Sequence, residues 1–192
     1  MFRAGNLRLL VALAAARAIR GGVAAAYRAG PASWENSQGG ARLGLPSSAG
    51  PGPVLAPVRV QLLGALLADS TDALRVLETS HPPTIYIPPA DVKGELLVAG
   101  DARGTWCEFK GAAQYVDALI DGMRVPAVGW TYREPSPGYH ALTDHIAFYP
   151  GRVDDAWLDD ERIEAQSSDF YGGWITGDLV GPFKGPPGTL GW

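Results

Sequence analysis

The chain has 192 residues, with 16 Lys and Arg against 20 Asp and Glu for a formal net charge of -4. That balance excludes the basic footprint that draws a protein to nucleic acid or anionic lipid, and the length suits one domain with an appended tail. A single cysteine excludes an intramolecular disulfide and any multi-thiolate zinc site, while 25 Gly and 16 Pro favour short strands and turns over a helical bundle.

Residues 1–52 differ in composition from all that follows. Arg3, Arg8, Arg17, Arg20, Arg28 and Arg42 face one acid, Glu35, among many Ala and Gly. The apolar run 7–16 is too short for a bilayer span, which takes roughly twenty residues. This spacing predicts a disordered extension that serves as an organellar targeting peptide, mitochondrial or chloroplast. A cytoplasmic protein with a plain extension is the alternative, and a secretory signal is opposed by Arg17 and Arg20, which stand where small uncharged residues belong. A linker rich in Gly, Pro and Ser over 39–57 leads into a single domain over 53–192.

Within that domain VRVQLLGALLADS reads as a hairpin with Gly64 at its turn, and ALRVLET and TIYIPP as further short strands around His81-Pro82-Pro83. Residues 88–92 open a helical turn, since proline is tolerated where its missing N–H has no partner. TWCEFKGAAQYVDALIDG, 105–122, alternates with period two into Asp121-Gly122 and predicts one strand of a central hairpin, with 123–132 as its mate. Pro126 marks an edge or bulge there. Residues 140–149 predict a short helix running into a strand, VDDAWLDDERIEA a hairpin bending at Asp159-Asp160, and 174–180 a helical turn within an ordered C-terminal loop. The expected class is mainly β, with small antiparallel sheets and one or two short helices, α+β by strict count.

Nucleotide fingerprints are absent: no GxGxxG and no GxxxxGK[ST] follows a strand. No metal and no cofactor is expected, because His140 and His145 lie five apart, off one helical face, and no HExxH or CxxC occurs. Cys107 is the candidate nucleophile, with Lys110 as a nearby cation and His81 or His145 as a base, although a free cysteine more often fills core. On a continuous strand Glu108 and Lys110 share a face and Cys107 shares the other with Phe109. Arg75 and Glu78 form a charge pair in a pocket wall if buried, and Asp154, Asp155, Asp159, Asp160 and Glu161 read as turn-forming acids. Trp106, Trp130, Trp157, Trp174, Tyr86, Tyr115, Tyr132 and Tyr171 are mostly core, with two or three left to line a cleft.

Five blocks carry a family resemblance: LRVLETSHPPTIYIPPADV (74–92), TWCEFKGAAQY (105–115), AVGWTYREPSP (127–137), DHIAFYPGRVD (144–154) and FYGGWITGDLVGPFKGPPGTLGW (170–192). In order and spacing they resemble domain of unknown function 427 in its longer form. The resemblance implies a β-tent, two antiparallel sheets meeting at an angle, similar to zinc-binding guanine-nucleotide-release chaperones and the drug-binding domain of cereblon. The thiolate ligands of those relatives are missing here, so zinc does not carry over. The family's naming hints at nucleotidyl transfer, for which no paired metal-binding acids beside a Gly-Ser turn are present. Before Val58 an opening Trp-Asp-Tyr-Pro-like block is expected, and Trp34-Glu35-Asn36 is at best a remnant of it.

The expectation is a soluble β-tent domain holding a small polar or aromatic molecule in a cleft built by Glu78, His81, Tyr86, Lys110 and Tyr115, with no nucleic acid or membrane as partner. An enzyme with Cys107 or Lys110 as nucleophile and His145 or Glu78 as acid/base is the alternative, nucleotidyl transfer included. A protein-interaction module with an aromatic C-terminal interface is the third reading.

Overall fold

The computed structural model describes residues 50–189. The expectations for the tail and its targeting fall on residues 1–49, outside the described residues. Over the described residues the chain is mainly β: every strand pairing is antiparallel and the helical elements are 3-10 turns of three to six residues.

In chain order, β1 (Gly52–Pro53) is followed by β2 (Val58–Leu62) and β3 (Ala65–Ser70), the expected hairpin. Val58, Val60 and Leu62 point inward, and Leu63 and Gly64 take φ of 50° and 75°, the left-handed pair whose twist matches the flanking strands. β4 (Leu74–Val76) and β5 (Thr84–Tyr86) flank a loop over 77–83 that includes the buried Pro82. Two 3-10 turns, the first opened by Pro89 as expected, lead to β6 (Leu97–Ala99).

β7 (Thr105–Cys107) and β8 (Gly111–Ile120) correct the expectation of one continuous strand. The chain reverses over Glu108, Phe109 and Lys110, and Gly111 at φ 95° completes the three-residue loop. Alternation of polarity runs straight through this loop, which is why periodicity alone misses it. Glu108 and Lys110 therefore share no strand face: Glu108 is exposed, while Lys110 is turned inward and only 4% exposed.

β9 (Met123–Thr131) pairs with β8 through an Asp121-Gly122 turn with φ of 49° and 79°. Their register jumps between Val116 and Ala118, so a bulge does sit beside Pro126. Buried Asp117 holds it, accepting the Ala127 N–H at 2.8 Å on Oδ1 and the Arg124 Nε–H at 2.8 Å on Oδ2. The short helix predicted before β10 (Ile146–Phe148) begins earlier, at Pro137–Leu142, where a proline fits the first turn. β11 (Asp155–Leu158) and β12 (Glu161–Arg162) bend at Asp159, as expected. β13 (Glu164–Ala165) pairs with β14 (Trp174–Ile175), which corrects the helical turn expected over 174–180. There the Trp174 N–H donates to the Pro83 carbonyl at 2.8 Å and the indole is buried, so tertiary anchoring outweighs local preference.

Pairing sorts the strands into four antiparallel groups, a finer division than the two-sheet outline: β1-β4-β5, β10-β9-β8-β6 with β7 on β8, β12-β11-β2-β3, and β13-β14. Reciprocal 2.8 Å hydrogen bonds between Ile87 and Ile146 tie the edge after β5 to β10. Two apolar clusters result. One gathers Val58, Val60, Leu67, Ile87, Phe148 and Trp174. The other gathers Val76, Tyr86, Trp130, Tyr132, Tyr139 and Tyr149, of which Tyr86, Trp130, Tyr132 and Tyr149 line the main cleft.

Candidate functional site

Three loops and a sheet face converge on a cleft of about 420 Å³. The 77–83 loop supplies Glu78 and His81, β5 supplies Thr84 and Tyr86, and the β7–β8 reversal supplies Thr105 to Lys110. β8 and β9 add Ala113, Tyr115, Trp130 and Tyr132, Tyr149 follows β10, and residues 166–172 close the far side. Glu78, His81, Tyr86, Cys107, Lys110 and Tyr115, distant in sequence, all line this one space.

The reversal at 108–110 decides the centre of the cleft. Gly111 lets the chain turn sharply enough that Lys110 points inward, where Nζ donates to Glu78 Oε1 at 2.6 Å. The lysine side chain is 5% exposed and the glutamate side chain 26%, so the carboxylate keeps an open side. Lys110 Nζ also lies 5.8 Å from the Tyr139 ring centroid, within cation–π range. Glu78 thus pairs with Lys110, which corrects the pairing expected with Arg75; Arg75 lies on β4 opposite Ile85.

Aromatic side chains build the walls. Tyr86 meets Trp130 edge to face at 6.2 Å, Trp130 meets Tyr149 at 4.5 Å, and His81 meets Tyr171 edge to face at 4.4 Å. Thr105 Oγ1 and Tyr115 Oη are 3.3 Å apart, and Tyr149 Oη donates to the Phe170 carbonyl at 3.2 Å. Burial pushes the Tyr86, Tyr132 and Tyr149 phenols well above their ordinary range, so they stay protonated. Trp106, 74% exposed, and Phe170, 56% exposed, stand at the mouth.

His81 is held below its ordinary value near 6.5, first by burial, then by the charge of Lys184, with Glu78 opposing. Its Nδ1 lies 2.9 Å from Gln166 Nε2. Cys107 is half-buried against the aromatic cluster and lines the cleft, a placement between core filler and open thiol. His145 is not brought in: it precedes β10, outside the lining, with Nδ1 3.1 Å from the Thr143 carbonyl. Of the acids read as turn formers, Asp159 sits in the turn at φ 57°, while Asp155 on β11 pairs with Arg162 and Glu161 on β12 accepts the Gly177 N–H at 2.6 Å. Among the described residues no group of three or more His, Cys, Asp or Glu side chains is placed to hold a metal ion.

Over residues 53–159 the chain matches the family described as domain of unknown function 427, more than half of its length. It belongs to that family. No curated protein matches the chain. The DUF427 segment contains Glu78, His81, Tyr86, Cys107, Lys110, Tyr115 and the Trp130–Tyr149 wall, so most of the cleft lies within it. Gln166, Phe170, Tyr171 and Gly172 come from beyond it and complete the enclosure.

Gln166 is the residue that sequence reasoning missed. A glutamine after Glu164 and Ala165 reads as a side chain turned to water, and nothing local marks it as 4% exposed. More aromatics reach the cleft than the two or three expected: Trp106, Trp130, Tyr86, Tyr115, Tyr132 and Tyr171 do, whereas Trp157 and Trp174 do not. Gly172 carries a local signal, the Gly-Gly pair at 172–173, whose reason is tertiary. A Cβ there would lie 2.6 Å from the Trp130 ring, so the Gly-Gly pair lets the C-terminal segment close on the aromatic wall.

Proposed function

We propose that this DUF427 domain binds a small molecule with a flat apolar part and an anionic or carbonyl group, seated between the aromatic wall and Lys110. One observation carries the reading: a lysine almost sealed from water, paired to Glu78 at 2.6 Å, inside a concave aromatic site. Removing two charges from water costs about what their attraction returns, so such a pair adds little to stability compared with an apolar replacement. A cleft that instead keeps one face of Glu78 open and a protonated amine at its wall has the few convergent polar groups typical of ligand sites. The alternative enzyme keeps His81 and Glu78 beside Cys107 and Lys110 but draws less support, since Glu78 is held in the pair with Lys110 at 2.6 Å and His145 stands apart. The exposed aromatics rim a concavity rather than a flat patch, which favours a small molecule over a protein partner.

Native mass spectrometry of protein purified from its source is the direct test. We expect a co-purifying small molecule that is released on denaturation. Its affinity should fall at least tenfold, about 1.4 kcal/mol, in Lys110→Met, while Asp160→Ala leaves it unchanged. Equal binding by Lys110→Met would sink the proposal.

A further inference from the structure

Every polar atom of the Gln166 amide is engaged. Oε1 accepts the Gly173 N–H at 3.0 Å, while Nε2 lies 2.5 Å from the Lys184 carbonyl oxygen and 2.9 Å from His81 Nδ1. The amide has one workable orientation, because flipping it sets NH2 against an N–H and its oxygen against a carbonyl. Nε2 carries two hydrogens, one donated to Lys184 and the other to His81, so His81 Nδ1 must accept. A neutral imidazole that accepts at one nitrogen donates at the other, which places its proton on Nε2. That Nε2 has no protein partner among the described residues and is not sealed from solvent, and His81 lines the cleft.

We propose that Gln166 locks His81 as the neutral Nε2–H tautomer, and that the cleft thereby selects an uncharged carbonyl or amide over a cation of the same shape. This rests on reading the cleft as a small-molecule site. The clamp is anchored beyond the pair itself. A Cβ at residue 173 would lie 2.5 Å from Gln166 Oε1 and 2.9 Å from Pro82 Cδ, so glycine there is what lets the Gln166 oxygen reach the backbone. Around the imidazole stand Tyr171, edge-on at 4.4 Å, and the charges of Glu78, Lys184 and Lys110. Burial and both lysines disfavour an imidazolium. Glu78 favours one, and is opposed by Lys110, which it holds on Oε1 at 2.6 Å. Gln166 would add to that pull only by offering its oxygen, and Gly173 holds the oxygen. A cationic guest beside His81 meets the Lys110 ammonium and the His81 N–H, while of the two acids in the lining Glu78 is paired to Lys110 and Glu108 is exposed on the reversal.

The test uses the full chain labelled with 15N-histidine and long-range 1H–15N correlation at neutral pH, with His81 assigned by its loss in His81→Gln. We expect protonated Nε2 and bare Nδ1 in the parent protein. In Gln166→Glu the new carboxylate should draw a proton onto Nδ1, and the circular dichroism of that variant shows whether it folds. Benzamide and benzamidine, matched in shape and different in charge, are then titrated. Benzamide should shift the His81 Nε2–H at least tenfold more tightly than benzamidine does, and this preference should vanish in Gln166→Glu. A parent His81 protonated on Nδ1 overturns the inference, and does so alone if the protein still holds a co-purifying molecule. Benzamidine binding as tightly as benzamide, or silence toward both, overturns the selection. Silence toward both with nothing co-purifying overturns the small-molecule reading as well.

Discussion

Lys110 and Glu78 show why a single substitution at this site has two separate readouts. Lys110→Met leaves Glu78 charged with its partner gone, and an unpaired, largely enclosed charge costs about 1–3 kcal/mol after allowing for its open side. We expect Lys110→Met to lower the urea midpoint, and Glu78→Leu added to it to restore most of the loss, while binding stays weak in both. A double variant that is no more stable than Lys110→Met would show that the pair is not coupled as the 2.6 Å contact implies. His81 gives a pH dependence whose sign follows from its depressed protonation. The unfolded chain binds a proton near 6.5 while the native His81 resists it, so stability is full above that value and is lost as pH falls through the lower native one. Acidification from pH 7 toward 5 should therefore reduce the denaturation midpoint more in the parent than in His81→Gln; identical slopes would contradict the buried neutral histidine. Pairing of residues 32 apart, and of Gln166 with His81, 85 apart, is invisible to any local pattern.

At the scale of elements, turn chemistry was legible and strand continuity was not. Gly64 and Asp121-Gly122 mark their hairpins because left-handed φ at both central residues is cheap for Gly and tolerable for Asp. The reversal at 108–110 carries no such flag: its glycine follows the loop, and Glu-Phe-Lys continues the polar alternation of a strand. The β8–β9 bulge was half legible, since Pro126 announces an irregularity while Asp117, the residue that holds it, looks like a solvent-facing acid. Asp117→Ala removes the acceptor for the Ala127 N–H and leaves Ala127 at φ 48° without its support. The expected cost is about 1–3 kcal/mol by urea denaturation, with Asp117→Asn closer to the parent because one oxygen still accepts that N–H. An alanine variant within error of the parent would mean the bulge is held by its turn alone.

For the molecule as a whole, the segment after residue 160 decides whether the cleft is closed. It brings Trp174 into the core, with Nε1 donating to the Phe148 carbonyl at 3.2 Å, and it clasps the site loop through Trp174 to Pro83 and Lys184 to Ser80, each at 2.8 Å. A chain ending at Asp160 keeps the DUF427 match over 53–159 but loses these anchors, so we expect it to lose cooperative unfolding. Trp174→Ala alone should cost about 3–5 kcal/mol, and a sharp parent-like melt of the shortened chain would refute this account. By itself the sequence determined the mainly β class, most hairpins, the family, and the residue types that line the cleft. These follow from local rules: φ preference at turns, period-two polarity, and motif order along the chain. Only the tertiary structure decided that Lys110 meets Glu78, that His145 stays outside, and that Gln166 sits beside His81. Those outcomes depend on which loops the sheets bring together, and side-chain direction after a three-residue reversal is set by packing rather than by the residues of the loop.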